Sequence, residues 1–547
     1  MADLDPRLTE LRAVAQAGDL ARAARLAEAL IADGSLREPL PFRVLGAARE
    51  AQGRLAEAAQ ALLGALRLDD RHVPTLTAYG QVRARLGQLD EAQAALQRAV
   101  ALDGNDAGAQ FALGWTLENR GEVDAALVAY GHAAAREPRH ASAHAHAAAL
   151  SVRRARWAAA RSHAEAALAI DGGSAVAQIA LAQADLGEQQ PARAEARLRA
   201  LLAAPSGLSA QTAAVARSAL GDSLHAQAQP APAFAAWQDA NMALRQLHAA
   251  RFAPGAGSER GLALAARLTA AYAPGQRRPW PAQPAPTGLP AGLPAAGHAF
   301  IVGFPRSGTT LLGQVLGSHP AITTLDEVEL LSAAARDLLG SEAGLAALDA
   351  GDPALLARYR ADYWRAVEAR LGALAGQVFI DKLPTYLLGL PLLARLFPQA
   401  RFIVVRRDPR DVVLSCFRHL FVINPSTWEF LDLLDAARFF DATQRLAEHW
   451  LATLPINAKI VRHEDLVDDL DGTTRHLCAF LGLDWDAATR DFAAASATRA
   501  VRTVSSGQVS RGLYRDGGGQ WRAYREQLAP VQPLLAPWVA AWGYPAD

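Results

Sequence analysis

Two short stretches of this sequence have the residue types and spacing to hold anions. In the first, Gly303-Phe304-Pro305-Arg306-Ser307-Gly308-Thr309-Thr310 follows the apolar run Ala299-Phe300-Ile301-Val302 and precedes Leu311-Leu312-Gly313-Gln314-Val315-Leu316. That order reads as strand, glycine-rich loop and helix, in which consecutive backbone N–H groups and a helix N-terminus converge on negative charge. The interval from Gly303 to Gly308 is that of a Walker A loop, but Thr309 stands where the phosphate-reaching lysine belongs, and Arg306 is the loop's cation. A nucleoside triphosphate with magnesium fits such a loop poorly. A 5′-phosphate whose terminal group takes hydroxyl donors and one arginine fits it better, and a phosphosulfate is such a group. In the second stretch, Arg401–Arg406 reads as a strand and Arg407-Asp408-Pro409-Arg410-Asp411 as the turn into a helix beginning near Val412, with Ser415 and Arg418 on its first turns. An arginine at a strand end and a serine eight residues later can converge on a second, separate anion. One nucleotide carrying both a 5′ chain and a 3′-phosphate accounts for the two sites together.

Such groups need a scaffold that brings strand ends side by side. Strand-like runs at 299–304, 378–381, 401–406 and 458–462, separated by helical stretches, predict a parallel sheet flanked by helices. Ligands of such sheets lie beyond the carboxyl ends of the strands, where Arg306, Lys382 and Arg407 fall.

The preceding half is a repeat array. Shifted by 34 residues against itself, it aligns Gly46, Gly80, Gly114, Ala148 and Ala182 in one column and Ala58, Ala92, Ala126, Ala160 and Ala194 in another. Two more columns are Ala65, Ala99, Ala133, Ala167 and Asp69, Asp103, Glu137, Asp171. Small residues at these offsets let the two helices of a hairpin approach closely, and the acidic position closes the second helix. The pattern resembles the tetratricopeptide repeat over roughly residues 10–245, or about six repeats with atypical ends. The resemblance implies a solenoid whose groove takes a protein or peptide partner; a purely structural spacer is the alternative. His140, His144 and His146 fall within one repeat helix without a third ligand at helical spacing, so they read as a solvated or groove-facing group rather than a metal site. A proline- and glycine-rich stretch from Pro274 to Pro294 reads as a linker. The expected organisation is thus a solenoid over 1–250, a helix and linker over 251–297, and an α/β domain over 298–547.

Composition narrows the function classes. The 547 residues carry 55 basic and 55 acidic side chains, which removes the basic footprint of a general nucleic-acid binder but leaves room for a local cationic pocket. Cys416 and Cys478 are the only cysteines and lie outside any CxxC spacing, which argues against a disulfide framework or a thiolate metal site and for a reducing, cytoplasmic compartment. No apolar stretch is long enough for a membrane span, and the first residues lack the pattern of a secretory leader.

Together, Pro305-Arg306-Ser307-Gly308-Thr309-Thr310 and Arg407-Asp408-Pro409-Arg410-Asp411-Val412-Val413-Leu414-Ser415 resemble the sulfotransferases that use 3′-phosphoadenylyl sulfate (PAPS), especially the tyrosylprotein branch, over roughly residues 297–530. With the solenoid, the chain resembles the tetratricopeptide-repeat sulfotransferases: an all-α repeat solenoid followed by an α/β domain with a central parallel sheet and a P-loop-like phosphosulfate loop. The resemblance implies that Arg306, Ser307, Gly308, Thr309 and Thr310 cradle the 5′-phosphosulfate and that Arg407 and Ser415, with Arg418 beside them, hold the 3′-phosphate. It implies Glu327 as the base that takes the acceptor's proton, with Asp326 and Glu329 as neighbouring alternatives, and Lys382 as the cation at the leaving oxygen. From Thr503-Val504-Ser505-Ser506-Gly507-Gln508-Val509 it implies Ser505 as assisting the transition state and Ser506, Gln508 and Val509 as nucleotide contacts. Two positions depart from the family. Gln520 precedes Trp521 where a basic residue is expected, with Arg511, Arg515 or Arg522 as substitutes, and His463 stands where a tyrosine usually lies beside the adenine.

The implied reaction is sulfuryl transfer from PAPS to a hydroxyl, without a metal, leaving adenosine 3′,5′-bisphosphate. A protein or peptide tyrosine is the favoured acceptor, a saccharide or small metabolite the alternative, and a homodimer is compatible with the sequence. Two other classes compete: a non-catalytic nucleotide-binding scaffold, against which Glu327, Lys382, Ser505 and the complete loop argue, and a phosphoryl-transfer enzyme, against which the missing loop lysine argues.

Overall fold

The computed structural model describes residues 5–34, 37–204, 207–253, 255–257, 259–273, 280, 297–374, 376–492 and 517–547. It divides the chain into two compact units, Met1–Glu188 and Gln189–Asp547.

The first unit is a run of helical hairpins from Pro6–Gln16 to Ala175–Gly187. Each column of the repeat has a steric reason. A Cβ at Gly46 would strike Leu62, one at Gly80 would strike Leu96, and one at Gly114 would strike the Tyr130 ring, so each glycine marks where paired helices touch. Ala58, Ala92, Ala126 and Ala160 are fully buried. Asp69, Asp103, Glu137 and Asp171 each end the second helix of a hairpin. The structure adds a column: Gly53, Gly87, Gly121, Ala155 and Gln189, again 34 apart, all have positive φ at the turn between helices.

The histidines lie differently from expectation. His140 precedes its helix, and its Nδ1 accepts from the Ala143 N–H at 3.2 Å. His144 and His163 share a hydrogen bond at 3.1 Å, and His146 lies 3.0 Å from Glu118, which also accepts from the Tyr130 hydroxyl at 2.7 Å. These side chains are half-buried, and His144 and His146 are satisfied by other helices of the repeat array, partners that spacing along one helix could not show.

The second unit opens with the helices Pro191–Ala203, Ala210–Ala226 and Pro230–His248 and then builds an α/β layer structure. Its sheet comprises β1 (Gly297–Gly303), β2 (Ile322–Asp326), β3 (Val378–Lys382), β4 (Arg401–Arg406) and β5 (Asn457–Arg462), in the order β2-β3-β1-β4-β5. All pairs are parallel, with Phe300 opposite Asp381 on one side and Phe402 on the other. The central strands are apolar on both faces, as a sheet covered by helices on each side requires. Ala299, Ile301, Ile380, Ile403 and Val405 pack on Leu312, Val315 and Leu316 of the helix Thr309–Gly317. On the other face Phe300 meets Phe402, Tyr363 and Phe397. Four strands were legible as apolar runs; β2, with Thr323 and Thr324 at its centre, was not.

From β1 the chain crosses to one side of the sheet and from β4 to the other. The carboxyl ends of β1 and β4 therefore flank a topological switch point, where open α/β sheets form their ligand crevice.

Candidate functional site

All five strands end at a residue or loop with polar chemistry. β1 runs into Phe304–Gly308, β2 ends at Asp326 and Glu327, β3 at Lys382, β4 at Arg406 and Arg407, and β5 at Arg462 and His463.

The loop after β1 is shaped by tight backbone approaches. A Cβ on Gly303 would come within 2.8 Å of the Val405 carbonyl, and Gly308, at φ 102°, lies against the His463 ring so closely that a Cβ would collide with it. Ser307, Thr309 and Thr310 are buried around the start of the helix Thr309–Gly317, whose first amides have no intrahelical acceptor. Arg306 takes φ 69°, a left-handed conformation that a side chain resists. From there its Nε donates to Ser415 Oγ at 3.0 Å, and an Nη faces His419 Nε2 at 3.4 Å. His419 donates through Nδ1 to the Ser415 carbonyl at 2.8 Å, which leaves Nε2 as the acceptor facing Arg306.

Arg407 reaches back over the loop, donating to the Arg306 carbonyl at 3.0 Å and to the Gly517 carbonyl. The rest of its motif is architectural. Asp408 caps the helix Pro409–Arg418 and takes both a 3.0 Å and a 2.7 Å bond from Arg410, whose guanidinium stacks 3.6 Å from the Trp521 ring centre. Asp411 accepts from the Gly519 and Trp521 amides at 2.6 and 2.9 Å, tying the 517–524 segment to that helix.

The acid and the lysine form a cluster of their own. Lys382, wholly buried, donates to Glu327 Oε1 at 2.8 Å and lies 3.5 Å from Asp326 Oδ1. Asp326 is oriented through its other oxygen by Gln314 Nε2 at 2.8 Å. The Glu327 amide donates to the Lys382 carbonyl at 2.8 Å, continuing the ladder between β2 and β3 one residue past the strands, at φ 51°. Glu329, the third acid of the stretch, is exposed and contacts Ser332.

Charge accumulates at the loop. Burial together with Arg407 and Arg418 pulls the Arg306 guanidinium down to about 10, so it still carries its proton near neutrality. Burial with Arg407 and Arg306 pushes His463 down to about 3, and burial with Arg306, Arg418 and Arg407 pushes His419 well below the usual imidazole range, so both rings are neutral there. The site concentrates positive charge from arginines and spares the imidazoles as neutral hydrogen-bonding groups. Ser307 Oγ, Arg407 Nε and His463 Nδ1 are buried with no hydrogen-bond partner among the described residues, all bordering the loop. Buried polar atoms without partners are costly unless a ligand or water meets them, so the donor set fits an anion with several oxygens.

Arg306, Ser307, Gly308, Thr309, Thr310, Arg407, Ser415 and His463 are thus brought together, and Glu327 and Lys382 meet each other at the neighbouring strand ends. Arg418 is engaged elsewhere, by Gln520 at 3.1 Å, Asp222 at 3.3 Å and the face of Trp237. Arg522 donates to the Asp547 carbonyl at 3.2 Å. Ser505, Ser506, Gln508 and Val509 lie outside the described residues, as do Arg511 and Arg515. Sequence reasoning missed Gln314 and His419. His419 follows the motif helix by a single residue, a position that could have been noted; Gln314 gives no signal beyond facing the same way as Thr310 one helical turn earlier.

The profile of the sulfotransferase family matches residues 299–487, and that of the tetratricopeptide repeat matches residues 73–106. An uncharacterized protein of Aquifex aeolicus is 29% identical over 253 residues, covering 45% of this chain and 33% of that protein. The nodulation protein NoeE of Sinorhizobium fredii is 29% identical over 241 residues, covering 38% of this chain and 55% of its own. The chain thus spans between a third and just over half of the length of these relatives. Among solved structures, YrrB, described as a tetratricopeptide-repeat protein with an unusual peptide-binding site, is 26% identical with a TM-score of 0.29, covering 32% of this chain and 90% of its own. This chain joins tetratricopeptide repeats to a domain of the sulfotransferase family.

Proposed function

We propose that the protein transfers a sulfuryl group from PAPS to an acceptor hydroxyl. The observation that carries this reading is the pairing, on one sheet edge, of a two-arginine anion loop with a buried lysine–glutamate pair. In this reading Arg306, Ser307 and the amides at the start of the helix Thr309–Gly317 hold the 5′-phosphosulfate, and Arg407 and Ser415 hold the 3′-phosphate. The donor supplies the sulfuryl group.

This chain's own part is charge and proton handling. Glu327, which accepts a hydrogen bond from Lys382, takes the acceptor's proton as the acceptor oxygen bonds to sulfur and the sulfur–oxygen bond to the phosphate breaks. Lys382 then faces the oxygen that gains charge, and Asp326 remains as its counter-ion. The neutral His463 ring against Gly308 offers a flat face and a free ring nitrogen to the adenine side. In this proposal Ser505 assists the transition state, and Ser506, Gln508 and Val509 complete the nucleotide contacts.

The acceptor is a protein or peptide tyrosine, delivered by a partner or substrate segment bound to the repeats. The repeat array beside a sulfotransferase-family domain supports this assignment. Both cysteines are buried thiols, which supports a reducing compartment, and among the described residues no helix is long and apolar enough to cross a membrane.

Calorimetric titration tests the reading. Adenosine 3′,5′-bisphosphate should bind the wild type, and Arg306→Ala and Arg407→Ala should each weaken it, whereas ATP with magnesium should bind poorly. Binding of magnesium–ATP in preference to the bisphosphate would replace sulfuryl transfer with phosphoryl transfer, and absence of binding to folded protein would favour a scaffold. Once binding is established, labelled PAPS identifies acceptors, with Glu327→Ala as the inactive control.

A further inference from the structure

The second compact unit begins at Gln189, so the helices Ala210–Ala226 and Pro230–His248 share a unit with the sheet. They pack on Trp428 and Leu431 and reach Tyr524 and Asp435, and one group of their contacts falls at the carboxyl end of the helix Pro409–Arg418, which carries Ser415 and leads into His419. The last carbonyls of a helix have no intrahelical donors and need partners from outside. Here Ser415's carbonyl is met by the His419 ring, and Phe417's carbonyl by Asn241, which is 2% exposed and donates from Nδ2 at 2.7 Å. Phe234 stacks on Phe417 with ring centres 4.9 Å apart. Asp222 and Trp237 hold Arg418, the next residue along. The closing helix pair thus grips the same turn whose other side faces Arg306.

We infer that this helix pair is a working part of the anion site, with Asn241 as its positioning residue: by fixing the Phe417 carbonyl it sets the turn from which Ser415 and His419 hold Arg306 over the loop. The inference rests on the proposed function for the identity of the ligand, but the positioning can be measured without any ligand.

The test compares three variants in the full-length protein. Asn241→Leu removes the donor at similar volume. Phe234→Leu loosens the same turn more gently, and serves if the first variant folds poorly. Arg245→Ala breaks the 2.6 Å ion pair of the same helix with Asp435, away from the turn, and controls for general loosening. Amide hydrogen exchange over 304–310 and 415–419 in unliganded protein should speed up about tenfold in Asn241→Leu and less in Phe234→Leu, and stay as wild type in Arg245→Ala. The dissociation constant of adenosine 3′,5′-bisphosphate should rise about tenfold in Asn241→Leu, the equivalent of one misplaced hydrogen bond. Wild-type exchange in Asn241→Leu and Phe234→Leu, or equal acceleration in Arg245→Ala, would overturn the positioning role. If the wild type does not bind the bisphosphate, the functional reading falls, and the exchange rates alone decide whether Asn241 positions the loop.

Discussion

Arg306 is the residue for which binding and stability should part most sharply. Its guanidinium is held in a half-buried, cation-rich setting that lowers it from its ordinary range to about 10, so at pH 7 the folded state keeps the charge at a cost in stability. The sign follows from that direction: the arginine is protonated in folded and unfolded chain alike at pH 7, the cost sits in the folded state, and it disappears only as pH rises past about 10. Fully buried, the shift would represent about 3 kcal/mol; discounted for solvent at a half-buried group, about 2 kcal/mol is reasonable. Against this, Arg306→Ala forfeits the 3.0 Å bond to Ser415, a contribution of about 1–2 kcal/mol for a charged donor. Alanine inherits the φ of 69°, so backbone strain cancels in the comparison.

Arg306→Ala should therefore leave unfolding stability within about 1 kcal/mol of wild type. Loss of the charged bonds to an anionic ligand is worth about 3 kcal/mol, so the dissociation constant of the bisphosphate should rise about a hundredfold. Urea unfolding and calorimetry on the same preparation separate the two quantities. A variant destabilised by several kcal/mol would show that Arg306 is a structural strut, and one that binds within threefold of wild type would remove it from the anion site.

Three further predictions follow from other elements of the structure. Lys382→Met should cost about 3 kcal/mol of stability because it leaves Asp326 and Glu327 without their buried cation, and adding Asp326→Asn should recover part of that loss in a double-mutant cycle by urea unfolding. Ala155 occupies a left-handed turn position that Gly53, Gly87 and Gly121 fill in earlier repeats, so Ala155→Gly should raise the stability of the first unit by roughly 0.5–1 kcal/mol. His463, pushed down to about 3, is neutral when folded while the unfolded chain takes up a proton below pH 6.5, so its contribution is lost on acidification; His463→Asn should gain on wild type by about 1 kcal/mol per pH unit between pH 6.5 and 5 in urea melts.

The framework of the candidate site was legible where it depends on short-range order. A strand, a glycine-rich turn and a helix start within a dozen residues of one another, so the anion loop and the Arg407 turn could be read directly. The repeat columns were legible because each hairpin meets the same steric demand at the same offset. β2 was hidden because it is short, has two threonines in its middle and ends in acids that read equally well as a helix start. The partners of Lys382 could not be read at all: Asp326 and Glu327 reach it only because β2 lies beside β3, and strand order is not written in either segment. The compact unit begins at Gln189, well before the proline- and glycine-rich stretch of the sequence, because Asn241, Arg245 and Arg260 form specific bonds to Phe417, Asp435 and Glu429.

Backbone strain ties these observations together. Among the described residues, five that are not glycine have positive φ. Ala155, Gln189 and Ala228 sit in turns between helices, and two of them continue a column that earlier repeats fill with glycine, so there the strain is a tolerated drift from the ideal residue. Arg306 and Glu327 have no such origin. Each stands one to three residues past the carboxyl end of a strand, where glycine would be easier, and each carries the side chain that the chemistry needs. A left-handed residue costs about 1–2 kcal/mol and persists only where its surroundings over-determine it. For Glu327 the surroundings are the bonds to Lys382 through both backbone and side chain; for Arg306 they are Ser415, His419 and the Arg407 clamp on its carbonyl. The two strained positions are therefore the two on which the proposed reaction depends most: in that reading one charge is aimed at the acceptor's proton and the other at the anion.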